Sequence, residues 1–211
     1  MINTIVIDTE TMDVRPSALI LSIGAFAFDV TDLEGTRESI LAVSRDPELS
    51  DYSANAFYCL LDANDQLMLG RSVSKDTQYW WRSQKQDAQE ALSGDRESLA
   101  DQLLNLNSWI AQHPGVAIYF RGTDFDGSIL ESAYRACRME CPWKYNDKRD
   151  VRTYIDALTG GKKGYVPDHQ PYFQMIKHNA LHDAMNDAEQ MAIAKSYFTA
   201  IVKVASAYRR S

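Results

Sequence analysis

Short apolar runs open the chain and helical periods follow them. Thr4 to Ile7 is a β-branched run that reads as a buried strand. Leu19 to Phe28 reads as a second strand, in which Gly24 marks a bulge or a close approach of backbone. Ser39–Val43 and Ala56–Leu61 read as extensions of the same sheet, set apart by the turn-rich stretches Asp46–Asn55 and Asp62–Asp65. Thr77 to Ser83, with Tyr79, Trp80 and Trp81, predicts a short helix capped by Asp76. Ser98 to Gln112 carries Leu99, Leu103, Leu106 and Ile110 on one helical stripe and ends at Pro114-Gly115. Val116–Phe120 then predicts a buried strand, Gly127–Met139 a helix closed by Pro142, and Val151–Leu158 a shorter helix. Gly160–Pro171, with its glycines and prolines, reads as a mobile loop, and Ala180 to about Arg209 as a long helix. Early strands and later alternation predict an α/β layered domain with a mixed sheet, continuous over residues 1–211.

Composition narrows the class. With 45% apolar residues among 211, the chain has material for a core, which excludes wholesale disorder. Cys59, Cys137 and Cys141 make neither a disulfide framework nor a zinc set. The first residues lack the basic start of a signal peptide, and the longest apolar stretch, Ala18–Phe28, falls far short of a membrane span. A soluble, cytoplasmic protein with no membrane partner is the expectation. The net charge of −7 argues against a partner held by bulk positive charge. That charge is uneven, however. Residues 1–100 hold 17 acids and 8 bases, whereas Arg135 to Lys163 holds eight bases against four acids. Short, end-directed binding of nucleic acid therefore stays open.

Three segments carry candidate chemistry. Asp8 and Glu10 end the first strand two residues apart, so their carboxylates share a face. Such a pair needs a proton, hydrogen bonds or a hard cation, unless both acids are simply solvated. Asp126 precedes a helix, where an acid is either an ordinary cap or a ligand. His178 to Asp187 contains two overlapping pairs, His178/Asp183 and His182/Asp187. Five residues within one helix turn by about 500°, leaving two side chains far apart. A working pair therefore places its histidine on the preceding loop, which favours His178/Asp183 with Asn179 as the helix cap.

In order and spacing, Asp8-Thr9-Glu10, Phe125-Asp126-x-x-Ile129-Leu130 and His178-x-Ala180-Leu181-x-Asp183-Ala184 resemble the three exonuclease motifs of the DEDDh superfamily. Ribonuclease T, oligoribonuclease and the proofreading subunit of bacterial DNA polymerase III belong to that superfamily. Asp76-Thr77-Gln78-Tyr79-Trp80-Trp81-x-x-Gln84 and Arg149-Asp150-Val151-Arg152-Thr153 are similar to the branch of phage exonuclease A, exonuclease VIII-like and mycobacterial-type 3′-5′ exoribonuclease domains. Where many relatives carry Thr-Gly or Thr-Thr-Gly after the first Glu, this chain has Thr11-Met12-Asp13.

The resemblance implies a ribonuclease H-like α/β fold in which Asp8, Glu10, Asp126 and Asp183 hold two Mg²⁺ or Mn²⁺ ions and His178 acts as general base. It implies hydrolysis of single-stranded RNA or DNA from the 3′ end to nucleoside 5′-monophosphates, RNA favoured, and a homodimer. The alternatives are a 3′-5′ exodeoxyribonuclease and, further off, an inactive binding domain of the same fold. Thr11, Met12 and Phe125 are the candidate substrate contacts, although Phe125 also suits the core. Trp80 and Trp81 read first as packing residues, and Lys162-Lys163 as a solvated part of the loop.

Overall fold

The computed structural model describes residues 1–45 and 54–208; most of the turn expected at Asp46–Asn55 lies outside them. In chain order the elements are β1 (Thr4–Thr11), β2 (Ile20–Phe28), α1 (Leu33–Ser44), β3 (Ala56–Leu60), α2 (Ala63–Met68), α3 (Lys75–Arg82) and α4 (Gln86–Glu90). There follow α5 (Leu99–Ala111), β4 (Ala117–Phe120), a π-helical turn (Thr123–Gly127), α6 (Ser128–Ala136), β5 (Lys148–Asp150), α7 (Val151–Thr159) and α8 (Ala180–Tyr208). The sheet runs β3-β2-β1-β4-β5. β1 pairs antiparallel with β2 and parallel with β4, so the sheet is mixed.

Alternation along β1 builds two cores. Ile5 and Ile7 point into a cluster with Leu99, Leu103 and Leu106 of α5 and Ile129 and Leu130 of α6. Val6 points the other way, toward Ile155 of α7 and Leu181, Ala184 and Met185 of α8. Helices thus cover both faces of a central strand that is apolar on both sides until its end. Where β1 runs out toward Glu10, neither cluster continues, and the face shared with α8 turns acidic.

Gly24 explains how α8 reaches that end. It pairs with Asp8 in the sheet, and a Cβ at Gly24 would lie 2.1 Å from the backbone nitrogen of Leu181. The first turn of α8 therefore rests directly on the sheet beside Asp8, the close approach that the sequence marks.

Two local expectations change. Ser39–Val43 is helical, not extended: Thr36, Ile40 and Val43 bury on one stripe, and the Asp32 side chain accepts from Gly35 N–H to cap the helix. A five-residue apolar run carries too little period to separate the two forms. The cap of α3 is Ser74, whose hydroxyl accepts from Thr77 N–H, and Asp76 sits inside the first turn. Caps at Ser98 and Asp150 start α5 and α7. Among the described residues, no helix is long and apolar enough to cross a membrane.

Candidate active site

The carboxyl ends of β1 and β4 open on one side of the sheet, where the π-helical turn and the start of α8 converge. Asp8 and Glu10 share the β1 face turned toward α8. Asp126, 3% exposed, comes from the π-helical turn. Its Oδ1 accepts from Thr9 N–H at 3.1 Å and from the Thr9 hydroxyl at 2.7 Å. That bond pair locks the turn to β1 and makes Asp126 a tertiary anchor, with no capping bond to its own helix. Asp183 sits in the first turn of α8. A single cleft of about 370 Å³ is lined by Asp8, Glu10, Asp126, His178 and Asp183.

His178 stands on the loop and not in the helix. Asn179 Oδ1 accepts from the N–H groups of Leu181 and His182, the expected cap. His178 adopts a left-handed φ of 63°, uncommon outside glycine, and its backbone N–H donates to Asp183 Oδ2 at 3.0 Å. Its Nδ1 lies 3.9 Å from Glu10 Oε1. One donor atom each from Glu10, His178 and Asp183 falls within 4.8 Å of the others, so the histidine stands beside the two carboxylates. The overlapping frame has other duties. His182 Nδ1 accepts from Ile176 N–H, and its ring packs on Phe173. Asp187 is held by Arg121.

The electrostatics are those of acids in want of a cation. Burial, then the charges of Asp126, Asp183 and Glu10, holds the Asp8 carboxyl well above its usual range. Burial, then Asp183 and Asp126, pushes Glu10 up to about 9. Burial, then Asp187, lifts Asp183 to about 7. Asp126 rises only to about 6, because the Thr9 hydrogen bonds oppose its burial. Among the described residues, no lysine or arginine forms an ion pair with any of the four. Four carboxylates in one cleft, Glu10 and Asp126 buried and Asp8 and Asp183 half-buried, with none of them in an ion pair to a lysine or arginine among the described residues, fit hard divalent cations.

A second cleft of about 480 Å³ adjoins the first and shares Thr9, Glu10 and Phe125 with it. Thr11, Val14, Thr77 and Trp80 complete much of its wall, and every charged residue lining it is acidic. Phe125 is half-buried and faces both clefts. The two tryptophans divide their roles. Trp81 is buried and donates its indole N–H to Thr11 O at 2.9 Å, whereas Trp80 is 42% exposed with its ring 4.8 Å from that of His178. Thr11 lines the cleft but spends its hydroxyl on Asp13 O. Met12 packs instead against Leu19, Leu21 and Trp81. Lys162 and Lys163 are exposed and line neither cleft.

Arg121, Arg152 and Tyr165 also line the acidic cleft; sequence reading passed over Arg121 and Tyr165 and took Arg152 only as part of a branch motif. Arg121 directly follows β4, the parallel neighbour of β1, so its place at a strand's carboxyl end was the available signal. The loop expected to be mobile is tied to its surroundings at several points, among them Gly164 N–H to Asp156 and His169 to Glu189. Gly164 O accepts from Arg121, and Val166 N–H donates to Gln190 Oε1.

No curated protein sequence matches the chain. Among solved structures, the nuclease domain of 3′hExo, a DEDDh family member bound to rAMP, is similar with a TM-score of 0.55 at 12% identity, covering 90% of each chain. The zinc-bound E. coli ExoI–ssDNA complex gives a TM-score of 0.47 at 14% identity, over 95% of this chain and 42% of that one. The first likeness shows the ribonuclease H-like fold of DEDDh nucleases. The family model of the 3′-5′ exoribonuclease Rv2179c-like domain matches residues 3–194, nearly the whole of the two-core domain and all of the acidic cleft. The chain belongs to that family, the Rv2179c-like 3′-5′ exonucleases of DEDDh type.

Proposed function

We propose that the protein hydrolyses single-stranded nucleic acid from its 3′ end, with RNA as the favoured strand, and releases nucleoside 5′-monophosphates. The observation that carries this reading is the acidic quartet Asp8, Glu10, Asp126 and Asp183, gathered from three elements into one cleft with none of the four paired to a lysine or arginine among the described residues. These four carboxylates would hold two Mg²⁺ or Mn²⁺ ions, which supply a water of lowered pKa and stabilise charge on the attacking and leaving oxygens. His178 is the general base. Burial, then Lys177, lowers its pKa, so its imidazole is neutral and able to accept a proton near pH 7. The bond from its own N–H to Asp183 holds the ring at the cleft mouth.

The terminal nucleoside occupies the second cleft. That cleft has aromatic walls in Trp80 and Phe125 and no basic residue, so it suits an uncharged base and sugar better than a phosphate. The scissile phosphate then lies over the acids that adjoin it. The family description as exoribonuclease, and the rAMP bound by 3′hExo, support RNA over DNA.

The test is a pair of strands of equal sequence, one RNA and one DNA, incubated with Mg²⁺ or Mn²⁺ and wild type or Asp8→Ala. Wild type should shorten the strand stepwise from its 3′ end and release 5′-monophosphates, while Asp8→Ala and chelated samples should not. Absence of metal-dependent degradation of either strand sinks the reading. A faster rate on DNA would reassign the substrate to deoxyribonucleic acid.

A further inference from the structure

The acidic cleft carries two arginines in opposite states. Arg121 is fully committed: Nε and Nη2 donate to Asp187, Nη1 donates to Gly164 O, and the guanidinium lies 4.3 Å from the Tyr165 ring centroid. Arg152, in the first turn of α7, is exposed, lines the same cleft, and has neither a hydrogen bond nor an ion pair among the described residues. Its charge is close enough to Asp187 to favour that acid's ionised form.

This free guanidinium is also framed. Gly164, at φ 69°, packs on the Arg152 stem so closely that a Cβ there would meet Arg152 Cβ at 2.4 Å. Gly122, at φ 125°, would place a Cβ 3.1 Å from Arg152 Nη1. Two loops meet the side chain with positive-φ glycines, one along its stem and one at its head. An unpaired solvent-facing arginine does not ordinarily require such fitting.

The clefts set the direction. The apolar one, which takes the terminal nucleoside, shares Glu10 and Phe125 with the acidic one but excludes Arg152 and Tyr165. A strand whose end lies in the apolar cleft and whose scissile phosphate lies over the acids must leave past the remaining wall.

We infer that Arg152 grips the phosphodiester immediately 5′ of the scissile bond, as the strand leaves the acidic cleft. The assignment rests on the exonuclease reading above. A planar guanidinium presents paired donors that match two non-bridging phosphate oxygens. The four acids of the site repel an incoming polyanion, and a fixed cation at the exit offsets that repulsion where it directs the strand.

The experiment compares a dinucleotide with a 5′-hydroxyl, whose single phosphate is the scissile one, with a trinucleotide that adds the upstream phosphate. A third substrate is the same trinucleotide with a neutral methylphosphonate at the upstream linkage. Arg152→Gln should weaken kcat/KM on the native trinucleotide by about tenfold to a hundredfold, the range for a lost charge-assisted hydrogen bond. It should leave the dinucleotide and the methylphosphonate trinucleotide at wild-type rates, and Arg152→Lys should recover part of the loss. The slope of log KM against log salt should become shallower by about 0.7, one phosphate contact on a single strand. Lys162→Gln, on the loop that follows α7 and outside both clefts, should change none of these ratios.

An equal loss on all three substrates would overturn the assignment and make Arg152 a structural residue. Unchanged rates on all three would overturn it too. If wild type degrades none of them with Mg²⁺ or Mn²⁺, the exonuclease reading fails first and takes this one with it.

Discussion

Helix α8 carries acids of two kinds, a few residues apart. Glu189 is completely buried and fully partnered: Arg37 Nε donates to Oε1 at 2.9 Å, while His169 Nε2 and Tyr172 N–H meet Oε2 at 3.1 and 3.0 Å. Burial alone would raise its pKa, yet these bonds outweigh it and bring the carboxyl below its ordinary value. Asp183, at the other end of the same buried stretch, faces Asp8, Glu10 and Asp126 and is pushed up to about 7. Asp187 lies between the two kinds. It is clamped by Arg121, yet burial still holds its pKa up. The difference is informative because the two acids share a helix and both feel the cost of burial. Where the chain brings its own cations, the acid fastens α8 to α1 and to the loop before it. Where its arginines leave the acids unpaired, the site fits a charge from outside.

The sharpest way to break this contrast is Asp8→Ala. Nuclease activity should fall by at least about a thousandfold, ~4 kcal/mol in the barrier. The metal-free protein should unfold no more easily than wild type, because a repelled acid has been removed. A lower melting temperature for Asp8→Ala in chelator would place Asp8 with the structural acids instead. Glu189→Ala should do the converse. Removing one member of a buried pair leaves Arg37 and His169 without their acceptor and should cost about 3 kcal/mol of stability, read by denaturant titration. The folded fraction should keep its activity per molecule.

pH separates the groups by sign. Glu10, Asp183 and Asp126 have folded pKa values of about 9, 7 and 6, above those of the unfolded chain, so the folded metal-free protein binds more protons. Their contribution is present at low pH and is lost as pH rises through about 4 to 9. Glu189, shifted down, contributes above the ordinary glutamate range and loses that contribution as pH falls through its folded value. The melting temperature in chelator should therefore drop between pH 6 and pH 9, and saturating Mg²⁺ should flatten the drop by competing with those protons. A metal-free profile that is flat or rising toward pH 9 would refute the picture of an uncompensated quartet. The smallest effect is expected for Asp187→Asn. The amide keeps a neutral hydrogen bond to Arg121, and stability should fall by about 1–2 kcal/mol.

Much of the site was legible along the chain because its chemistry is local. Asp8 and Glu10 share a face through the two-residue repeat of a strand. The five-residue gap from His178 to Asp183 required a loop histidine and a helical acid, and Asn179 marked the boundary between them. Gly24 was visible as an interruption in an apolar run. Its reason, the backbone of Leu181 pressed against it, was not. The helix over Ser39–Val43 was missed because its buried stripe begins at Thr36, outside the short run that looked like a strand.

What the sequence determined by itself was the main strands and long helices, the shared face of Asp8 and Glu10, and the loop-and-helix placement of His178 and Asp183, since these follow from periods and caps within a few residues. What only the tertiary structure decided was partnership. Asp126 and Thr9 are 117 positions apart, and Arg37 and Glu189 are 152 apart. Whether a buried acid finds a cation, whether Trp80 or Trp81 faces the cleft, and whether Arg121 or Arg152 remains free all depend on contacts between distant segments. No local propensity encodes those contacts, because charge and burial act through space and not along the chain.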